Sequence, residues 1–113
     1  MKKICILLLL SVPFLLQYCT SSKKIAKVPN VTYAANVQPI ILANCSPCHI
    51  PAKGGRIRAY DNYTAVKGGI DSILSRINRN PGQKGFMPFK HSKLADSTLN
   101  VLAKFKSDGL LEN

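Results

Sequence analysis

Cys45-Ser46-Pro47-Cys48-His49 is the stretch on which the reading of this chain turns. Two thiols stand three residues apart, and an imidazole follows the second directly. On a turn, that spacing brings both sulfurs to one side with the His next to them. Three familiar uses of such a pair fit poorly. A disulfide between Cys45 and Cys48 closes a very short loop, and such loops are redox-active more often than they staple a fold. A thioredoxin-like pair needs strand–helix alternation around it, and the sequence shows none. A zinc site takes four ligands, typically with a second Cys/His pair, and only His91 is left to offer.

Cys-x-x-Cys-His is also the sequence that attaches c-type haem. Each thiol adds across one haem vinyl group, forming a thioether with no leaving group, and the adjacent His presents its imidazole to the iron. The composition of this chain gives the pattern by accident roughly 0.002 times, so it is read here as a signal. The expectation is one covalent haem c held by Cys45 and Cys48, with His49 as the proximal iron ligand.

Working towards the N-terminus, Met1-Lys2-Lys3 is a short basic start, and Ile4 to Leu16 is an apolar run interrupted by Pro13. A run of that length falls short of the about 20 residues a membrane span needs. It reads as a secretory signal over 1–18. Leu15-Leu16-Gln17-Tyr18-Cys19 resembles the end of a bacterial lipoprotein signal, in which the Cys is lipidated and becomes the first mature residue. Tyr18 departs from that pattern, where a small residue is usual. The alternative is ordinary cleavage, for which Thr20 and Ser22 supply small residues. Residues 19–30 then form a lipid-anchor Cys and a basic linker, and the folded domain occupies 31–113. The expected location is the periplasm or cell envelope, with the protein tethered to a membrane through Cys19.

A chain of 113 residues holds one domain. With no Trp, four Tyr and four Phe, its aromatic supply is thin, and so small a domain benefits from an added staple such as a cofactor. Sixteen Lys+Arg against five Asp+Glu give +11, lowered by two when Lys2 and Lys3 leave. Nucleic acid is a poor partner for an exported chain without basic–aromatic interleaving.

The periodicity is helical. Val37, Ile40 and Ile41 share one face, with Asn36 as N-cap and Pro39 in the first turn. A helix beginning near Thr32 would instead be kinked by Pro39. Asp61 caps a short helix ending at Gly68-Gly69, and Asp71 caps a second over Ser72–Asn78. Asp96-Ser97-Thr98 opens the last, with Leu99, Leu102 and Phe105 on one face, lysines in its final turns, Gly109 at C′ and Leu110 folding back. No window alternates with period two, so the fold class is all-α.

Asn36-Val37-Gln38-Pro39-Ile40-Ile41-Leu42, then Cys48-His49, then Phe86-Met87-Pro88 and a final helix together resemble a small monohaem cytochrome c of class I. The likeness spans about Val31 to Leu111. It implies a few short helices wrapped around one haem, His/Met iron ligation and one-electron transfer. Met87 is the only Met once Met1 is removed, and it lies in a Pro/Gly-bounded loop, which makes it the expected distal ligand. His91, four residues on, is the rival; otherwise it is a surface His beside Lys90 and Lys93. Arg56 and Arg58, with Tyr60, are candidates for contacts to the haem propionates, the alternative being a solvated basic loop. Pro51 or a neighbour is the expected carbonyl acceptor for the His49 N–H. Lys84, Lys90 and Lys93 bracket Met87 and would steer an acidic redox partner.

The expected function is therefore electron carriage between envelope proteins. The alternative is a haem-based gas-binding or sensing module in which Met87 leaves the iron. An enzyme is not expected, because no nucleophile–base pair or carboxylate dyad is present.

Overall fold

The computed structural model describes residues 27–113. The expected signal segment 1–18, the lipidation candidate Cys19 and most of the linker lie outside the described residues. Val31 is the first buried residue among those described.

Thr32 opens the first helical stretch. Its hydroxyl accepts from the Ala35 N–H at 3.4 Å, while its own N–H donates to Asn36 Oδ1 at 2.9 Å. Two first-turn donors are thus satisfied reciprocally. Asn36 was expected to be the N-cap; it instead closes the cap from inside the first turn. A π-helical turn, Tyr33–Val37, then runs into α1 (Gln38–Asn44). The Val37 N–H reaches Thr32 O at 3.2 Å, and the Gln38 N–H reaches Tyr33 O. This widening places Pro39 in the first turn of α1, where its missing N–H leaves no bond broken.

A short 3₁₀ turn, Pro51–Lys53, follows the Cys-x-x-Cys-His stretch. Next comes α2, a single helix over Tyr63–Ile77. This corrects the expected pair of short helices. Asn62 is the cap, accepting from the Ala65 N–H at 2.9 Å, so neither Asp61 nor Asp71 is needed. Gly68-Gly69 does not end the helix. Gly69 is buried against Tyr60, and a Cβ there would lie 2.6 Å from Tyr60 Cε1. The glycine is present for close approach, and tertiary packing outweighs its poor helix propensity.

α3 spans Asp96–Ser107 and ends as the sequence indicates. Gly109 adopts φ +95°, the Leu110 N–H donates to Phe105 O at 3.0 Å, and the Gly109 N–H donates to Lys106 O at 3.3 Å. Those two bonds define a Schellman termination.

The ends of the described chain are clasped together. Tyr33 and Ala34 N–H groups donate to Leu111 O and Glu112 O at 2.8 and 2.9 Å. Val31 N–H donates to Asp108 Oδ2 at 2.7 Å, and Tyr63 Oη donates to Leu110 O at 2.7 Å. Val37, Ile41, Val66, Leu102 and Phe105 are fully enclosed between the π turn, α1, α2 and α3. Burial of a side chain of this size contributes about 1.5–3 kcal/mol. The described residues are all-α, with one isolated bridge between Thr32 and Leu111 and no strand.

Candidate functional site

The apolar faces of α1, α2 and α3 do not close completely on one another. They leave a cleft of about 460 Å³. Ile40, Ile41, Ile73, Ile77, Leu94 and Leu102 give it an apolar wall. Cys45, Cys48 and His49 line it from the C-terminal end of α1, and Met87, Pro88 and His91 from the loop between α2 and α3. Residues 38 positions apart are therefore brought to one chamber. Its size lies within the range of small-molecule and cofactor sites.

His49 is fixed on two sides. Its N–H donates to Cys45 O at 3.0 Å, which closes the turn that carries the two thiols. Its ring Nδ1 lies 2.6 Å from Arg58 O. A carbonyl can only accept, so Nδ1 carries the proton and Nε2 the free lone pair. Buried Tyr60 stacks on the imidazole, with centroids 4.8 Å apart and planes at 29°, and its N–H donates to His49 O at 2.9 Å. The expected acceptor near Pro51 is thus corrected to Arg58, nine residues after His49. Pro51 lies in the 3₁₀ turn, whose carbonyl is already taken by the Gly54 N–H at 2.9 Å.

Cys45 and Cys48 are free thiols. Cys45 is half-buried against the core, and burial pushes its thiol up to about 11. A redox dithiol relies on a lowered thiolate pKa, so this environment opposes that use. Among the described residues, no group of three or more His, Cys, Asp or Glu side chains comes together. A four-ligand protein zinc site has no ligand set here. The donor set would suit a haem, whose iron accepts single nitrogen or sulfur ligands from a chain. Those available at the cleft are His49, Met87 and His91.

Met87 is half-buried and packs against the core, and its N–H donates to Arg76 O at 3.3 Å. His91 is exposed at the cleft edge. Of the two arginines singled out from the sequence, Arg58 lines the cleft and Arg56 does not. The loop turns between them, leaving Ile57 on the cleft wall. Arg58 also spreads over the Tyr60 ring, 5.8 Å from its centroid.

No family model, curated protein or solved structure matches the chain significantly.

Three site residues carry no sequence signal of their own. Gly55 lies behind the Cys45–His49 turn: a Cβ there would lie 2.6 Å from both Pro47 O and Cys48 O. Arg76 lines the cleft from α2. Phe89 stands at the cleft with two-thirds of its surface exposed, and Lys90 lies over its ring. The lysines assigned to a docking rim, Lys84, Lys90 and Lys93, are all exposed, and Lys93 Nζ also donates to Asn78 O at 3.1 Å and Asn80 Oδ1 at 3.3 Å. No helix among the described residues is long and apolar enough to cross a membrane.

Proposed function

We propose that this chain is a one-electron carrier of the class I cytochrome c type, holding one covalent haem c. The observation that carries this reading is the convergence of Cys45, Cys48, His49 and Met87 on one apolar cleft. When bound, haem supplies the one-electron change between ferric and ferrous iron. The chain does the rest. Cys45 and Cys48 tie the cofactor down as thioethers. His49, its tautomer set by Arg58 O, offers Nε2 as the proximal ligand. Met87 offers its thioether from the opposite loop, and a His/Met pair raises the potential relative to other axial pairs. The isoleucines of the wall exclude water, which favours the less charged ferrous form. Arg58, at the cleft, is suited to pair with a propionate.

The cell-envelope location, export through residues 1–18 and a lipid tether at Cys19 belong to the same proposal. So does an acidic redox partner, drawn by exposed Lys84 and Lys90. Visible spectroscopy of purified protein tests the function. A six-coordinate spectrum in both oxidation states, inert to CO, is the expected result. Ready CO binding by the ferrous protein would favour a gas-binding module and overturn electron carriage as the main role.

A further inference from the structure

The loop that brings Met87 to the cleft is strapped by cations to the last turn of α2 and the residues just after it. Arg79 donates through Nη1 to Lys84 O, and Arg76 donates through Nη1 to Gly85 O at 3.4 Å. These are consecutive carbonyls two and three residues before Met87. The Met87 N–H in turn donates to Arg76 O at 3.3 Å, so Arg76 meets the loop on both sides of Phe86. Gly85 sits directly beneath both guanidinium groups. It has φ +83°, and a Cβ there would lie 2.5 Å from Arg79 Nη1 and 3.2 Å from Arg76 Nη1. The positive φ favours glycine, and a side chain there would push the two guanidinium groups off the loop. From the far end of the loop, Lys93 reaches back to Asn78 O and Asn80 Oδ1.

The two ion pairs among the described residues, Lys104–Asp108 and Lys106–Asp71, both use lysines of α3. Arg76, Arg79 and Lys93 are instead matched to carbonyl and amide oxygens of the loop and of the helix end beside it. Part of the basic excess is therefore internal structure.

We propose that Arg76 and Arg79 are positioning residues for Met87: together they hold the loop closed, so that the thioether stays on the iron and external ligands stay out. This rests on the reading of Met87 as distal ligand. Both bonds are exposed and that from Arg76 is long, so the restraint comes from two charged donors acting together on adjacent carbonyls.

The test uses haem-loaded full-length protein and imidazole as the probe. Wild type, Arg76→Ala, Arg79→Ala, Arg76→Lys and a distant control, Lys106→Ala, are titrated in the ferric state, following the weak red-edge band of sulfur-to-iron charge transfer. Arg76→Ala and Arg79→Ala should each bind imidazole about tenfold more tightly than wild type, equivalent to about 1.4 kcal/mol of lost closure. Arg76→Lys should recover part of the difference, and Lys106→Ala should match wild type. Arg79 does not line the cleft, so an effect confined to Arg76→Ala would assign it to cleft charge and overturn the strap. Lower melting temperatures with imidazole affinity within twofold of wild type would overturn it as well, leaving a merely structural role. A wild-type protein without the sulfur band would overturn the Met87 reading itself and the strap with it.

Discussion

Gly55→Ala should damage the Cys45–His49 turn more than its size suggests. The added Cβ would lie 2.6 Å from Pro47 O, 2.6 Å from Cys48 O and 2.8 Å from Ile50 N. All three are backbone atoms within or beside Cys-x-x-Cys-His, so no flexible side chain can move aside. Overpacking a well-packed site costs about 1–3 kcal/mol, and three simultaneous backbone clashes place this change near the upper end, about 3 kcal/mol. In a domain of this size each 1 kcal/mol shifts the midpoint by about 4–8 °C, so the loss is about 12–24 °C. Thermal melts followed by far-UV circular dichroism read it, together with haem yield per chain from absorbance. Two other glycines supply internal controls. Gly54→Ala meets nothing within 4 Å but has φ +86°, so only backbone strain applies, about 1–2 kcal/mol. Gly68→Ala, in α2 and open to solvent, should stabilise by about 0.5–1 kcal/mol. A Gly55→Ala protein that melts with wild type and loads haem normally would refute the close approach on which this ordering depends.

Met87→Ala should abolish the sulfur band of the ferric protein, admit CO and lower the reduction potential, whereas His91→Ala should change none of these; the reverse pattern would transfer the distal role to His91. The Asp108 carboxylate is held below its ordinary range, first by its bond from Lys104 and then by the Val31 N–H. A lowered carboxylate stabilises the fold above its unfolded pKa and loses that contribution as pH falls through the folded value. Wild type should therefore lose stability in acid more steeply than Asp108→Asn, which is already weaker at neutral pH; parallel pH–stability curves would contradict this. If Cys19 anchors the protein, wild type should fractionate with membranes and Cys19→Ser should be released; wild type found wholly in the soluble fraction would count against the anchor.

How far the sequence alone reaches differs from element to element. α3 was legible in full, because its apolar face, C′ glycine and Leu110 fold-back are local signals that packing leaves intact. α2 was not. Gly68-Gly69 looks like a helix end, and only the nearness of Tyr60, set by the 49–60 segment closing on His49, shows why glycine stands within a helix. At the N-terminal helix, Asn36 was recognised as a capping residue but given the wrong position, since the π turn that accommodates Pro39 leaves no trace in periodicity.

For the site, the division lies between side chains and main chain. Cys45, Cys48, His49 and Met87 were singled out from residue type and spacing, and the structure brings all four to one cleft. The groups that fix them are mostly backbone atoms or glycines. Arg58 contributes its carbonyl to His49, Gly55 its missing Cβ, and Arg76 its carbonyl to Met87. The two carbonyl roles depend on which segments meet and not on residue identity, and glycine is required at 55 only because the Pro47–Cys48 backbone approaches it. Arg56 and Arg58 look equivalent in sequence, and only the turn at Ile57 separates them.

The central claim is that Cys45 and Cys48 bind haem covalently, and intact-mass measurement of the exported protein tests it most directly. Wild type should weigh the processed chain, with any lipid at Cys19, plus one haem, and the haem should survive denaturation. Cys45→Ala and Cys48→Ala should each retain at most a single thioether, and the double variant should carry none. A wild-type mass without haem after expression in a host competent for c-type maturation, or a double variant that still holds it covalently, would contradict the account.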